Sequence, residues 1–323
     1  MTLQTLARTL EDADRHGYGV GAFNVSDLNQ AVAVLEAARA EHSPVIVQTI
    51  AGTSAYTDES WWWSMLRATI VTFSDVPVTL HLDHGRTVED CRRAVEHGFT
   101  SVMIDASRLV EDDTPADYEH NIELTRTVVD LAHPAGVSVE GELGTIGGAE
   151  AGREGSVEEL VYADPVQAQD YVARTGVDAL AVAVGTSHGS VKFTDAAGGQ
   201  RLRLELIAQI KALLPDTGLV LHGSSSIPAD AVRTINACGG QLPLSYGVSA
   251  AQKQAGIQQG IRKINQGTDS HLVWTAALRS HLVADPADVE PSHAIAAART
   301  AMSELVRLRM REFGSSGRAT TVV

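Results

Sequence analysis

Short runs rich in Val, Ile, Leu and Ala recur along the chain, separated by longer segments in which apolar residues return every three or four positions. The runs cover Gly17–Val25, Pro44–Ile50, Pro77–Asp83, Ser101–Ala106, Ser138–Gly144, Ala179–Gly185, Leu219–Ser225 and Gln241–Gly247. Most are apolar without interruption, the pattern of strands buried on both faces of a parallel sheet. Helical periodicity marks Asn29–Glu41, Val88–His97, Ala116–Ala132, Pro165–Arg174, Arg203–Leu214 and Ala229–Ala237. Pro165 and Pro228 suit first helical turns, and Gly98, Gly176 and Gly239 fall just past helix ends. Eight strand–helix units in about 250 residues predict an α/β fold, a (β/α)8 TIM barrel. Two smaller doubly wound domains are the alternative, but no linker lies midway and no GxGxxG follows the first run. One domain over 1–323 is expected: a barrel to about 260, a helical C-terminal extension over about 261–313, and a frayed tail at 314–323.

Polar residues gather at the C-terminal ends of the runs: Asn24, Asp83 and His84, Asp105, Glu140 and Glu142, His188 and His222. A barrel builds its active site at that face, so residues far apart in sequence converge there. A lone histidine at a strand end is usually a hydrogen-bonded structural residue. Three of them, each beside a glycine (His84-Gly85, His188-Gly189, His222-Gly223), are harder to read that way. Three imidazoles with an open fourth position suit catalytic zinc, whereas a hard cation such as magnesium would favour carboxylates. The adjacent glycines would let a ligand approach the backbone closely.

Composition narrows the chemistry. Lys plus Arg is 25 and Asp plus Glu is 40, a net charge of −15 over 323 residues. A polyanion is repelled by such a surface, so neither non-specific nucleic-acid binding nor an anionic membrane is expected. Two cysteines fit a reducing compartment, and the opening MTLQTLARTLEDADRHG lacks the apolar stretch of a signal peptide. With no apolar run of membrane-spanning length, a cytoplasmic protein is expected. Only four lysines are present, Lys192, Lys211, Lys253 and Lys263, which limits amine chemistry to four candidates.

The motifs AFNV (Ala22–Val25), HLDHG (His81–Gly85), MIDAS (Met103–Ser107), VEGELGTIGG (Val139–Gly148), GTSHG (Gly185–Gly189) and LHGSS (Leu221–Ser225) follow in order. Together with FGSSGRA (Phe313–Ala319), they give a chain that resembles the zinc-dependent, class II fructose-bisphosphate/tagatose-bisphosphate aldolase family over nearly its whole length. The resemblance implies a metal-dependent lyase that splits a phosphorylated ketose into dihydroxyacetone phosphate and an aldehyde through a zinc-stabilised enediolate. It makes His84, His188 and His222 the ligands of one Zn2+ and Asp83 the acid/base. Asp105 and Glu142 match an alternative metal position, and Glu150 matches the mobile-loop proton carrier, within a glycine-rich loop over Thr145–Asp164. Gly189, Lys192, Gly223 and Ser225 match a phosphate-binding group, with Asn24 a further substrate contact; Val191 stands where an aromatic residue is common. A homodimer or homotetramer is expected.

Two departures fall on the substrate side. The last strand in the family ends in Asn followed shortly by Thr; in LSYGVSAAQK (Leu244–Lys253), Ser245 is read at the Asn position with no Thr match. Ile50 stands where a small hydroxylated residue is common, although Thr49 is adjacent. Weak use of fructose 1,6-bisphosphate is therefore expected, with another sugar or sugar-acid phosphate as the alternative substrate. A Schiff-base aldolase would need a lysine at a strand end, where only Lys192 is found. A barrel that binds sugar phosphate without turnover would need neither Asp83 nor Glu150. Trp61, Trp62 and Trp63 project three ways from one helical turn, so at least one should be buried, within the chain or at a subunit interface.

Overall fold

The computed structural model describes residues 3–110, 114–144, 147–148, 161–188 and 202–319. In chain order the strands are β1 (Val20–Asn24), β2 (Val45–Ile50), β3 (Val78–Gly85), β4 (Ser101–Ile104), β5 (Ser138–Leu143), β6 (Gly147–Gly148), β7 (Ala179–Val182), β8 (Ser187–His188), β9 (Gly218–Leu221) and β10 (Ile261–Gln266). Eight of them close a parallel barrel in the order β1-β10-β9-β7-β5-β4-β3-β2, and the two-residue β6 and β8 pair separately. The helices are α1 (Leu6–His16), α2 (Leu28–Glu41), α3 (Glu59–Thr72), α4 (Val88–Glu96), α5 (Tyr118–Ala132), α6 (Pro165–Thr175), α7 (Leu204–Leu213), α8 (Ala229–Ala237), α9 (Ala250–Gln258), α10 (Thr268–Ala284) and α11 (Pro291–Phe313). None among the described residues is long and apolar enough to cross a membrane.

Alternation sorts the side chains of each strand. Val45, Val47, Leu80, Leu82, Val102 and Ile104 face outward and pack under the helices with Val34, Leu35, Leu66, Ile122 and Ile207. Each such leucine or valine contributes roughly 1.5–3 kcal/mol. Below, α1 closes the barrel: Leu6, Leu10 and Ala13 pack on Val20, Ala22, Ile46, Met103, Ala181 and Val220. Above that apolar plug the inward positions turn polar, which is what places chemistry at the C-terminal face. In the Trp61–Trp63 triplet, Trp62 and Trp63 are buried within the chain, while Trp61 is exposed.

The eighth strand lies elsewhere than its apolar pattern indicates. Gln241–Gly247 forms no barrel strand, and its Leu244 is 54% exposed. The barrel closes instead through β10, whose Val20↔Lys263, Gly21↔Ile264 and Ala22↔Asn265 register ties it to β1. IRKINQ was hidden by its composition, because Lys263 and Asn265 are buried through partners on other strands rather than through apolarity. The barrel therefore runs to Gln266, and the helical extension begins at Thr268.

The expected fraying after Phe313 also fails as far as Ala319. Glu41, at the end of α2, accepts from Arg307, Arg311 and Ser316, and its backbone carbonyl accepts from Gly317 N at 2.8 Å. Ser43 donates to the fully buried Ser315 at 2.8 Å. Arg311 first, then Arg307 and Ser316, hold the Glu41 carboxyl down to about 2 against the opposing effect of burial. A depressed carboxylate stabilises the fold above its unfolded value near 4.3, and that stability fades as pH falls through the folded value. Glu41→Gln is expected to cost about 2 kcal/mol at neutral pH. In urea unfolding the difference from wild type should shrink between about pH 4.3 and pH 2.

Candidate active site

Asp83 is fully buried at the top of β3, inside the barrel. Asn24 Nδ2 donates to its Oδ2 at 2.8 Å, Gln48 Nε2 to the same oxygen at 3.0 Å, and Asn265 Nδ2 to Oδ1 at 3.1 Å. Gln48 Nε2 also donates to Asn24 Oδ1 at 2.9 Å, locking one amide against the other. Burial opposes the charge on Asp83, but His84, Lys263 and His222 outweigh it and hold the carboxyl below its ordinary range. The result is a fixed, ionised carboxylate with amides from β1, β2 and β10 around it. Sequence reasoning assigned no role to Gln48 or Asn265. The available signal was polarity at alternate positions, Lys263 and Asn265 on β10, Gln48 on β2, rather than apolar runs.

His84 follows at φ 47°, a left-handed conformation that costs a non-glycine residue roughly 1–3 kcal/mol. The strain belongs to an irregularity between Leu82 and Gly85, where the β3–β4 register shifts. Gly85 is needed there for packing rather than for ligand approach, since a Cβ would stand 2.6 Å from the Met103 carbonyl oxygen. The shift brings His84 Nε2 to 3.0 Å from His222 Nδ1, with the rings at 77°. The distal nitrogens are engaged: His84 Nδ1 lies 3.4 Å from Asp105 Oδ2, and His222 Nε2 lies 2.8 Å from Glu140 Oε1. Asp83, His84 and His222 together form a cluster able to hold a metal ion. Burial lowers the His84 pKa, but Asp83, Asp105 and Glu142 overcome it and raise it to about 9. Such a field favours a cation, and a metal would compete with a proton for it. The donor set fits zinc, with imidazole nitrogens facing one another across a gap close to the edge of a coordination tetrahedron with bonds of about 2.0–2.1 Å.

The remaining expected ligands divide. Asp105 accepts from Ser107 Oγ at 2.7 Å and faces the far side of His84. Glu142 Oε2 stands 3.9 Å from His222 Nδ1, beside the cluster. The backbone of His188 pairs with Gly148, which places it on β8, but its side chain lies outside the described residues. Glu150, Gly189 and Lys192, with most of the glycine-rich loop, also lie outside them.

Of the residues expected to contact phosphate, Gly223 takes φ 59° directly after His222, and Ser225 Oγ donates to Asp269 Oδ1 at 3.4 Å. Asp269 is fully buried and accepts from Arg309 Nε at 3.1 Å and from Ser270 N at 3.0 Å in the first turn of α10. Gly247 crosses so close that a Cβ would lie 1.9 Å from the Ser225 carbonyl oxygen. Ser245 belongs to the loop before α9, not to a strand, so it does not take the place of a strand-end Asn. Asn265, the last residue but one of β10, is followed by Thr268 three residues later, and that expected departure disappears. Ile50 remains: it stands in register with Asp83, while Thr49 points outward and accepts from Trp62 Nε1 at 3.0 Å. Ser245→Asn should therefore leave kcat/KM for a ketose bisphosphate nearly unchanged. Asn265→Ser should lower it by roughly 10- to 150-fold, as expected for a lost hydrogen bond to a charged group of about 1.5–3 kcal/mol.

Lys263, unlike the sequence expectation that Lys192 alone nears a strand end, lies on β10 inside the barrel. Its ammonium is fully buried, 2.8 Å from Glu140 Oε2 and 3.3 Å from His81 Nε2. Lys253 on α9 is equally buried and donates to Ser226 Oγ at 2.6 Å. Lys211 on α7 is held by Asp14 and by the Pro215 and Thr217 carbonyls, so all three described lysines are committed to partners and none supplies a free amine for Schiff-base chemistry.

The family model for class II fructose-bisphosphate aldolases matches residues 4–318. A fructose-bisphosphate aldolase of Cupriavidus necator is 42% identical over all of this chain and 96% of its own length. One from Pseudomonas aeruginosa is 40% identical over all of this chain and 94% of its own. Among solved structures, the YdjI aldolase of Escherichia coli K12 superposes with a TM-score of 0.77 at 30% identity, covering 98% of this chain and 100% of that one. A putative fructose-1,6-bisphosphate aldolase of Coccidioides immitis superposes at 0.79 with 26% identity, covering 97% of each chain.

Proposed function

The chain belongs to the class II fructose-bisphosphate aldolase family, metal-dependent aldehyde-lyases, and from that premise we propose how its own residues divide the reaction and on what substrate. The substrate is a phosphorylated ketose, cleaved to dihydroxyacetone phosphate and an aldehyde. The metal is Zn2+, held by His84, His222 and His188. When bound, it supplies Lewis-acid polarisation of the ketone carbonyl.

The observation that carries the reading is the Asp83 carboxylate, clamped by Asn24, Gln48 and Asn265 beside the paired His84 and His222 nitrogens. Asp83 takes the proton from the C4 hydroxyl, whose carbon becomes the aldehyde carbonyl as the C3–C4 bond breaks, and returns it in condensation. The amide clamp keeps the carboxylate oriented and charged between turnovers, and burial keeps bulk water from competing for the proton. Glu150 transfers the proton at the donor carbon. Gly189, Lys192, Gly223 and Ser225 hold phosphate, with Ser225 fixed from behind by Asp269. Asp105 orients His84.

Fructose 1,6-bisphosphate is the first substrate to test, because the strand-end Asn is present in Asn265. Ile50, in register with Asp83, favours a second reading in which a ketose lacking a polar group at that wall is turned over better. The protein acts as one catalytic domain in a homodimer or homotetramer, in the cytoplasm. A panel of ketose phosphates offered to zinc-loaded protein, with dihydroxyacetone phosphate release as the readout, tests the reading. No release from any member would overturn it.

A further inference from the structure

Beneath the Asp83 layer lies a second buried polar layer that the proposed reaction does not use. Glu140 on β5, Lys263 on β10 and His81 on β3 are all fully buried. Lys263 Nζ donates to Glu140 Oε2 at 2.8 Å and faces His81 Nε2 at 3.3 Å, and His81 Nδ1 is 2.8 Å from Ser101 Oγ. Burial first, then the charge of Lys263, push His81 down to about 3, so its ring is neutral and accepts from the ammonium. The other Glu140 oxygen, Oε1, is 2.8 Å from His222 Nε2.

An ionised carboxylate offers only lone pairs, so His222 Nε2 must carry the proton in this contact. Asn265 Nδ2 is also 3.2 Å from that nitrogen; one of its two hydrogens goes to Asp83, and the other finds no lone pair on an Nε2 that donates to Glu140. With Nε2 protonated, the lone pair of His222 sits on Nδ1, the atom that faces His84. An unpaired carboxylate at this depth would be costly, and the Lys263 ammonium supplies the counter-charge.

We infer that Glu140 is a positioning residue for metal binding: it fixes the tautomer and ring orientation of His222, and Lys263 is retained to neutralise it. This rests on the proposal that His222 is a metal ligand. Two double variants isolate the effect. Glu140→Gln with Lys263→Met and Glu140→Leu with Lys263→Met both replace the ion pair without leaving a buried charge. Only the first keeps an acceptor for His222 Nε2–H.

Zinc affinity is measured by chelator competition on wild type, both doubles and His222→Ala. The Leu/Met double should bind zinc about 10- to 100-fold more weakly than the Gln/Met double, as for loss of a histidine's outer partner. Equal affinity of the doubles, with His222→Ala defective, overturns the inference alone. If His222→Ala binds zinc as wild type does, the ligand assignment itself has failed. Long-range 1H–15N NMR of metal-free wild type gives an independent reading should a double not fold. Protonation of His222 at Nε2 supports the inference, and protonation at Nδ1 overturns it.

Discussion

His222→Ala and His84→Ala should each reduce bound zinc from about one equivalent per chain to near none, and lyase activity to background. Both imidazoles present a nitrogen to the same gap, 3.0 Å apart, so neither can be replaced by the other. The loss should exceed that of any amide substitution nearby, because it removes an electrophile rather than a hydrogen bond. Elemental analysis of purified variants, with activity assayed at added zinc, checks it. Full activity in metal-free protein would rule the mechanism out. Alanine at position 84 would keep the left-handed backbone conformation at φ 47° and its strain, which only glycine adopts freely.

Asp83→Ala should separate binding from chemistry. Zinc content should hold, since His84 and His222 keep their partners Asp105 and Glu140. The rate of carbon–carbon cleavage should fall by about 10² to 10⁴, the usual contribution of a positioned proton-transfer group. Asn24, Gln48 and Asn265 would lose the acceptor they share, so some reordering of these amides accompanies the change. Asp83→Asn keeps the shape and removes the base, and a comparable loss there would assign the effect to proton transfer. Single-turnover cleavage measured beside zinc stoichiometry decides between the two causes. Cleavage at the wild-type rate in Asp83→Asn would remove it from the mechanism.

Much of this molecule was legible along the chain. Seven of the eight barrel strands announce themselves as apolar runs, because a strand between sheet neighbours and under helices is buried on both faces. His84 and His222 stand where those runs end, and a barrel delivers such ends to one face. Asp83 is recognisable for the same reason. The eighth strand escaped because Lys263 and Asn265 break the apolar pattern, while Gln241–Gly247 imitates it in a loop. Their burial is decided by Glu140 and Asp83, more than a hundred residues earlier in the sequence. Periodicity reports how a segment meets a generic apolar environment, and it is blind to a charge whose partner lies on another strand. For the same reason only tertiary structure shows that Gln48 holds Asp83, that Ser245 stands outside the barrel wall, and which nitrogen of His222 faces its partner. The sequence determined the barrel and the residue types at its mouth; closure of the chain into that barrel determined their protonation, their orientation and their partners, because those depend on distances between strands rather than on positions along one.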